Sequence, residues 1–492
     1  MQHKVRFYFP FHFAPDHKAK LDNYYSQLKA FSLRSLQQRM DASESTSGGL
    51  DESVWEASHR KVDPRFNPHM EQLLNGRDTA QNHAFFGLQA LQLSTNGRHF
   101  VNGGSVGDPG KGLRTQLSKA AIQRLAQKDI SAPYDDNRWP ITVVDAWLYH
   151  FNTCIGVMTL DIEYAEPGKH KKNQLQDIQA VAEMNYQLYR NSGNKQTATL
   201  NWVDHESSLN GLRDIVLNLN PWLSDSNVVH PLDNWRSVYT YSAVQSDQPL
   251  TTNEIEEHAF RLARHYTDAY LPSSESVNVG LSRPFDSLCH YHSLEGACSL
   301  IITNDGSPAL DNFIASAINQ AYEPITLIAY SEYLFLHQLS QGANITVDMR
   351  NPSEKDFAQL RDYRAKLYNF RLNNRFSHVG QLTQHNDYYR AMKLALGSTE
   401  LLEDISTDVS EIEDFIADHI AEKNRQSIAN IKVLGSMFAA LVLLADLSGI
   451  SIHQALTDDT LSLTAKVIFW SLAIGIPLAF IVLSKWLRNN LE

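Results

Sequence analysis

Cysteine is scarce: the 492 residues include three, Cys154, Cys289 and Cys298, too few and odd in number for a disulfide-stapled scaffold. Basic clustering is also missing. Lys and Arg total 43 against 55 Asp and Glu, a formal charge of −12, with no Lys/Arg stripe to attract a phosphate backbone, so no nucleic-acid partner is expected. His-Glu-x-x-His is absent and the 20 histidines are scattered, so no zinc protease is indicated and no enzyme is expected. The start, MQHKVRFYFPFHFAPDHK, has only a short apolar run broken by Pro10 and His12, so no signal peptide is expected. With 43% hydrophobic residues the chain can fill two to four domains, which excludes disorder and a fibrous repeat. Long apolar runs are confined to the last 60 or so residues.

Those runs are Val433–Ile450 (VLGSMFAALVLLADLSGI) and Val467–Leu483 (VIFWSLAIGIPLAFIVL). Helices of that length reach about 25–30 Å, close to a bilayer's hydrocarbon core. Gly and Pro inside the runs, and Trp470 and Trp486 near their ends, favour a membrane over two core helices. Lys423, Arg425 and Lys432 precede the first run and Lys485 and Arg488 follow the second, whereas the connection carries Asp458, Asp459 and Lys466 as its fixed charges. The positive-inside rule then predicts a two-span hairpin over 431–492 in the plasma (bacterial inner) membrane, with both termini and the first 430 residues cytoplasmic.

Alternating apolar residues predict strands over Val5–Phe13, Ile141–Tyr149, Ile155–Tyr164 and Ser299–Thr303, and Leu21, Tyr24, Tyr25, Leu28 and Phe31 fall at helical spacing. The expected fold is an α+β (α/β) cytoplasmic domain over 1–305, a helical stalk over 306–430, and the transmembrane hairpin. One helix is expected over Leu310–Leu339, interrupted at Pro324, and another from Asn351-Pro352-Ser353-Glu354, which supplies a cap, a first-turn proline and a carboxylate. Leu402, Ile405, Val409, Ile412 and Ile416, continued by His419 and Ile420, make a coiled-coil seam that would pack against copies of itself or a neighbouring helix. Nine acids, from Glu400 to Glu422, fill the other faces. They are either a solvated surface or a vestibule that gathers divalent cations.

Two segments suggest chemistry and are read mainly as structure. Cys289, His290, His292 and Cys298 are zinc-competent but match no established spacing, and Cys298 opens a strand bound for the core. NGGSVGDPGKG, Asn102–Gly112, lacks the first Gly and the final Ser/Thr of a phosphate loop and reads as a flexible connection.

An α/β domain, a long helix entering a first span, a short outside loop, a second span and a basic tail resemble the CorA-like magnesium and divalent-cation transporters. Lys432-Val433-Leu434 and Ser448-Gly449-Ile450 are similar to that family's Lys-Val-Leu and Ala-Gly-Ile at the same separation, and Ser484-Lys485-Trp486-Leu487 to its Trp-containing end. The residue match covers about the last 60 positions. The family's Gly-Met-Asn entrance motif falls on Ile452, His453 and Gln454 and is not kept. By this resemblance Ile431, Leu434, Phe438, Val442, Ala445 and Gly449 line a pore. Ile452, His453, Gln454, Asp458 and Asp459 surround its entrance, and Asp446 is an intramembrane acid that either acts on ions or reaches the interface. The resemblance implies a homo-oligomer, a pentamer, in contact with membrane lipid, conducting a divalent cation (Mg²⁺ by family default) under control of its cytoplasmic domain, with no cofactor besides the ion. The rival reading is a membrane-anchored sensor or effector whose cytoplasmic domain binds a ligand or partner and whose hairpin is an anchor or an unselective, stress-triggered pore.

Overall fold

A computed structural model describes residues 2–13, 18–40, 50–57, 61–75, 89–126, 138–151, 153–165, 177–190, 199–203, 208–225, 229–232, 238–246, 249–266, 280–302, 314–342 and 354–448, with 462–464, 466–467, 470–471 and 475. The chain divides into two compact units, Met1–Thr346 with Gln359–Ile405, and Val347–Ala358 with Ser406–Glu492.

The first unit is built on a sheet of thirteen strands. They are β1 (Gln2–Phe13), β2 (Trp55–Ala57), β3 (Gln89–Leu93), β4 (Leu113–Gln116), β5 (Arg138–His150), β6 (Ile155–Tyr164), β7 (Leu200–Trp202), β8 (Ser208–Leu209), β9 (Val229–Pro231), β10 (Tyr239–Ser246), β11 (Leu281–Phe285), β12 (Leu288–His292) and β13 (Gly296–Ile302). The order is β11-β12-β13-β10-β1-β6-β5-β4-β7-β8, with β2 on β3, β3 on β5 and β9 on β1. Parallel pairing occurs between β10 and β13, and the other pairs are antiparallel.

Strand alternation gives the sheet two unlike faces. On one, Val5, Phe7, Phe9 and Phe11 of β1, Met158, Leu160 and Ile162 of β6, and Cys298, Leu300 and Ile302 of β13 enter the main apolar core. Gly156 lies beneath Phe11, so close that a side chain there would overlap the ring. Nine helices precede residue 300 among the described residues: α1 (Lys18–Lys29), α2 (Leu33–Arg39), α3 (Pro68–Asn75), α4 (Thr95–Val101), α5 (Lys119–Ala126), α6 (Ile178–Arg190), α7 (Leu212–Leu219), α8 (Trp222–Asp225) and α9 (Thr252–Arg264). Of these, α4, α6 and α9 pack on the apolar face.

The opposite face is covered by a nine-residue π-helix, Ile314–Tyr322, by α10 (Glu323–Gly342), and by α12 (Thr383–Ala395). Between them in sequence, α11 (Glu354–Asn373) stacks Phe370 on Phe335 of α10 at 4.7 Å, and its Tyr363 hydroxyl donates to the Leu339 carbonyl. A left-handed residue, Gly397 (φ 66°), then turns the chain into α13 (Ser398–Ser448), a single helix of 51 residues.

The C-terminal expectation is overturned here. Among the described residues no helix is long and apolar enough to cross a membrane. The first run continues α13, as the long helix expected to enter it does, and the described helix stops at Ser448. The second run, 467–483, lies outside the described residues apart from 467, 470–471 and 475. The expected hairpin with spans 433–450 and 467–483 is therefore not supported, nor are the membrane channel and the two-span plasma-membrane placement with cytoplasmic termini.

Candidate functional site

Polar chemistry is concentrated on the face beneath the π-helix, α10 and α12. The registers align side chains in rows across the strands. His292 faces Ala297, which pairs with Tyr241, which faces Arg6, which faces Asp161. In the next row His290 faces Ser299, which pairs with Ala243, which faces Lys4.

The first cluster is a buried ion network. Arg6 Nε donates to Asp161 Oδ1 and its NH2 to Oδ2 at 2.6 Å, while NH1 lies 3.0 Å from Glu323 Oε2. Lys4 Nζ lies 2.9 Å from Glu323 Oε1 and 3.4 Å from Asp161 Oδ2, and donates to Asn319 Oδ1 at 2.6 Å. Burial works to lower the Arg6 pKa, but Asp161 and Glu323 hold it well above the usual guanidinium value. Two cations meet two carboxylates, so the network carries no net charge for a ligand to neutralise. Its evident effect is to fasten the first residue of α10 to the middle of the sheet.

The second cluster is neutral. Tyr241 donates to Ser299 Oγ at 2.9 Å, and Ser299 Oγ lies 2.7 Å from His290 Nδ1. Ser299 Oγ thus bridges the Tyr241 hydroxyl and the imidazole, whose other nitrogen is Nε2. That Nε2, and both ring nitrogens of His292, find no hydrogen-bond partner among the described residues, although the two histidines are 1% and 2% exposed. Tyr388 of α12 stands edge-on to both rings, with centroids at 4.8 Å and 4.4 Å. Tyr322, the last residue of the π-helix, lies 4.5 Å from His290 and 5.7 Å from His385. Thr326 donates to the Tyr322 carbonyl at 2.8 Å, so the Tyr388 hydroxyl, 2.7 Å away, donates to Thr326.

Burial drives the pKa values in this box. It lowers His292 to about 3, and it lowers His290 well below its ordinary value with help from His292 and His385. It lowers His385 too, against the pull of Asp63. Burial raises Tyr322 to about 12 and Tyr388 further. An unpaired buried polar atom costs about 1–3 kcal/mol, so a cluster of them marks a place held for something other than stability.

Alternation settles the metal question raised by the sequence. Cys289 and Cys298 point into the apolar core, while His290 and His292 point to the opposite face, so the four cannot share one ion. Among the described residues no group of three or more His, Cys, Asp or Glu side chains is placed to hold a metal. The Asn102–Gly112 loop is anchored: the Asn102 side chain pairs with both Val143 backbone groups at 2.8 and 3.0 Å, and Gly104 packs directly on Gly110 and Asp108.

The residues expected to line a pore lie elsewhere. Ile431, Leu434, Phe438 and Val442 are on α13 and are 67%, 53%, 67% and 52% exposed. Ala445 and Asp446 are on the same helix, and Gly449, Ile452, His453, Gln454, Asp458 and Asp459 fall outside the described residues. Conversely, sequence reasoning passed over Arg6, Asp161, Tyr241, Ser299, Glu323, His385 and Tyr388. The available signals were Lys4 and Arg6 alternating with apolar residues in β1, and His290-x-His292 in β12, each of which puts polar groups on one strand face. Comparison of the chain with models of protein families and with curated proteins finds no match.

Proposed function

We propose that the chain is a self-assembling sensor or effector, in which the sheet domain receives a signal and α13 joins copies of the chain side by side.

The observation that supports this is the uncovered apolar stripe of α13. Leu402, Ile405, Val409 and Ile416 are buried within the single chain, whereas Ile428, Ile431, Leu434, Phe438 and Val442 are each more than half exposed. At 100° per residue these five span an arc of about 120° in line with the buried stripe, and Leu443, 61% exposed, lies outside it. Steps of three and four suit another helix of the same pitch, and a second α13 supplies one. The acids from Glu400 to Glu422 are exposed apart from the half-buried Glu413, leaving the stripe as the surface that copies can share without facing like charges.

Single cysteines at Ile431, Leu434 and Phe438, with Ala429→Cys and Ser436→Cys on the opposite side, test the assembly. Bismaleimide treatment of the intact protein is expected to give cross-linked dimers and higher species from the first three and little from the other two. Equal yields at all five positions, or none at any, would overturn the assembly.

A further inference from the structure

The neutral histidine box sits between the sheet and the helix that feeds the assembly helix. α12 packs on β11, β12 and the π-helix, and it brings His385 and Tyr388 to the box. Leu396 and Gly397 then connect it to α13, and a Cβ built on Gly397 meets nothing within 4 Å, so this left-handed joint has room to turn. The assembly helix therefore begins two residues after an element held down by aromatic and imidazole contacts.

The box has no charge to receive a proton. The titratable or charged groups facing it are Tyr241 from β10, Tyr322 and Glu323 from the π-helix and the start of α10, His385 and Tyr388 from α12, and Asp63 with Arg65 beside His385. Glu323 is already held by Lys4 and Arg6, and Asp63 by Arg65 through three hydrogen bonds. Neither His290 nor His292 has a carboxylate contact among the described residues. A proton on either ring would place an imidazolium against aromatic rings and a second histidine, whereas the same ring in water accepts it readily.

We propose that this box is an acid-operated latch: protonation of His292, with His290 and His385, lifts α12 from the sheet and displaces the start of α13. The downstream consequence, a change in how copies assemble, rests on the proposed function, but the latch itself does not. At pH 5.0, about 1.5 units below histidine's ordinary value, release of the His292 imidazole favours the open form by about 30-fold, and release of His290 and His385 acts in the same direction.

Backbone hydrogen exchange on the intact protein, corrected for the intrinsic rate, is the test. Between pH 7.5 and 5.0 the amides of 383–395 are expected to lose at least about 30-fold in protection, while those of β1 and β6 keep theirs. His292→Phe forfeits no hydrogen bond and keeps a ring against Tyr388, and His292→Leu is the alternative should Phe prove too large. Either is expected to match wild type at pH 7.5 and to retain about 30-fold more protection in α12 at pH 5.0. Protection of α12 that does not change with pH, that falls together with that of β1 and β6, or that falls as far in the His292 variants would overturn the latch. Failure of the cross-links at 431, 434 and 438 would instead overturn the assembly and leave this result standing.

Discussion

Arg6 and His292 lie in one row of the sheet, with β10 and β13 between their strands, and follow opposite rules. Arg6 is charged and fully compensated, so removing one of its partners leaves a cation buried without its counter-charge. Glu323→Gln is expected to destabilise the sheet domain by about 3–5 kcal/mol, read as a lower urea midpoint with an unchanged slope. His292 is neutral and uncompensated. Its folded pKa of about 3 lies below the ordinary histidine value, so the unfolded chain binds the proton first as pH falls. Stability present above about pH 6.5 is therefore lost at about 1.4 kcal/mol per pH unit on going down toward pH 3. Urea titrations at pH 7.5 and 5.5 are expected to show this loss in wild type and about 1.4 kcal/mol less of it in His292→Phe. Tyr388→Phe removes a donor from Thr326, whose own proton still reaches the Tyr322 carbonyl, so no buried donor is orphaned and the expected cost is about 1 kcal/mol.

Among the elements, the π-helix and α12 do most to shape the site. The wider turn of Ile314–Tyr322 ends by setting Tyr322 into the histidine box and Glu323, the next residue, onto Lys4 and Arg6. Two adjacent residues thus reach two different clusters, as short π segments often do at functional sites. α12 carries a second tie to α10: Tyr389 donates to Glu332, and Lys393 Nζ lies 3.2 Å from the same carboxylate. Burial raises the Glu332 pKa while Lys393 and Tyr389 work against the rise. The joint after α12 is set by Gly397. Gly397→Ala meets no clash but forces a Cβ into the left-handed region, so thermal unfolding is expected to show a loss of about 1 kcal/mol.

For the whole molecule, net charge opposes the proposed assembly. Parallel α13 helices bring rows of exposed acids near one another, and salt shortens the reach of that repulsion from about 14 Å at 50 mM to about 4 Å at 500 mM. Cross-linking at Leu434→Cys is accordingly expected to rise between those two salt concentrations, and a fall would mean that charge attraction, not the apolar stripe, joins the copies.

Local periodicity by itself determined much of the first unit. Ile155–Tyr164 is a strand over the residues that alternation marks, Val5–Phe13 lies within β1, and the helix expected to be interrupted at Pro324 appears as a π-helix followed by α10, with that proline in the first turn of α10. These features depend on near neighbours, whose spacing is written in the chain. Strand order and register were not legible, because the contacts that join β13 to β10 or β1 to β6 bring together residues 58 and 155 positions apart. Both polar clusters depend on those registers. Lys4, Asp161 and Glu323, or His290, Tyr322 and Tyr388, are unremarkable until the sheet and its covering helices bring them to one face. Apolar composition after residue 430, and a long helix leading into its first run, were equally legible, but only the tertiary structure shows which part of that helix is covered, Leu402 to Ile416, and which is left exposed, because hydropathy measures what a segment contains and not what packs on it.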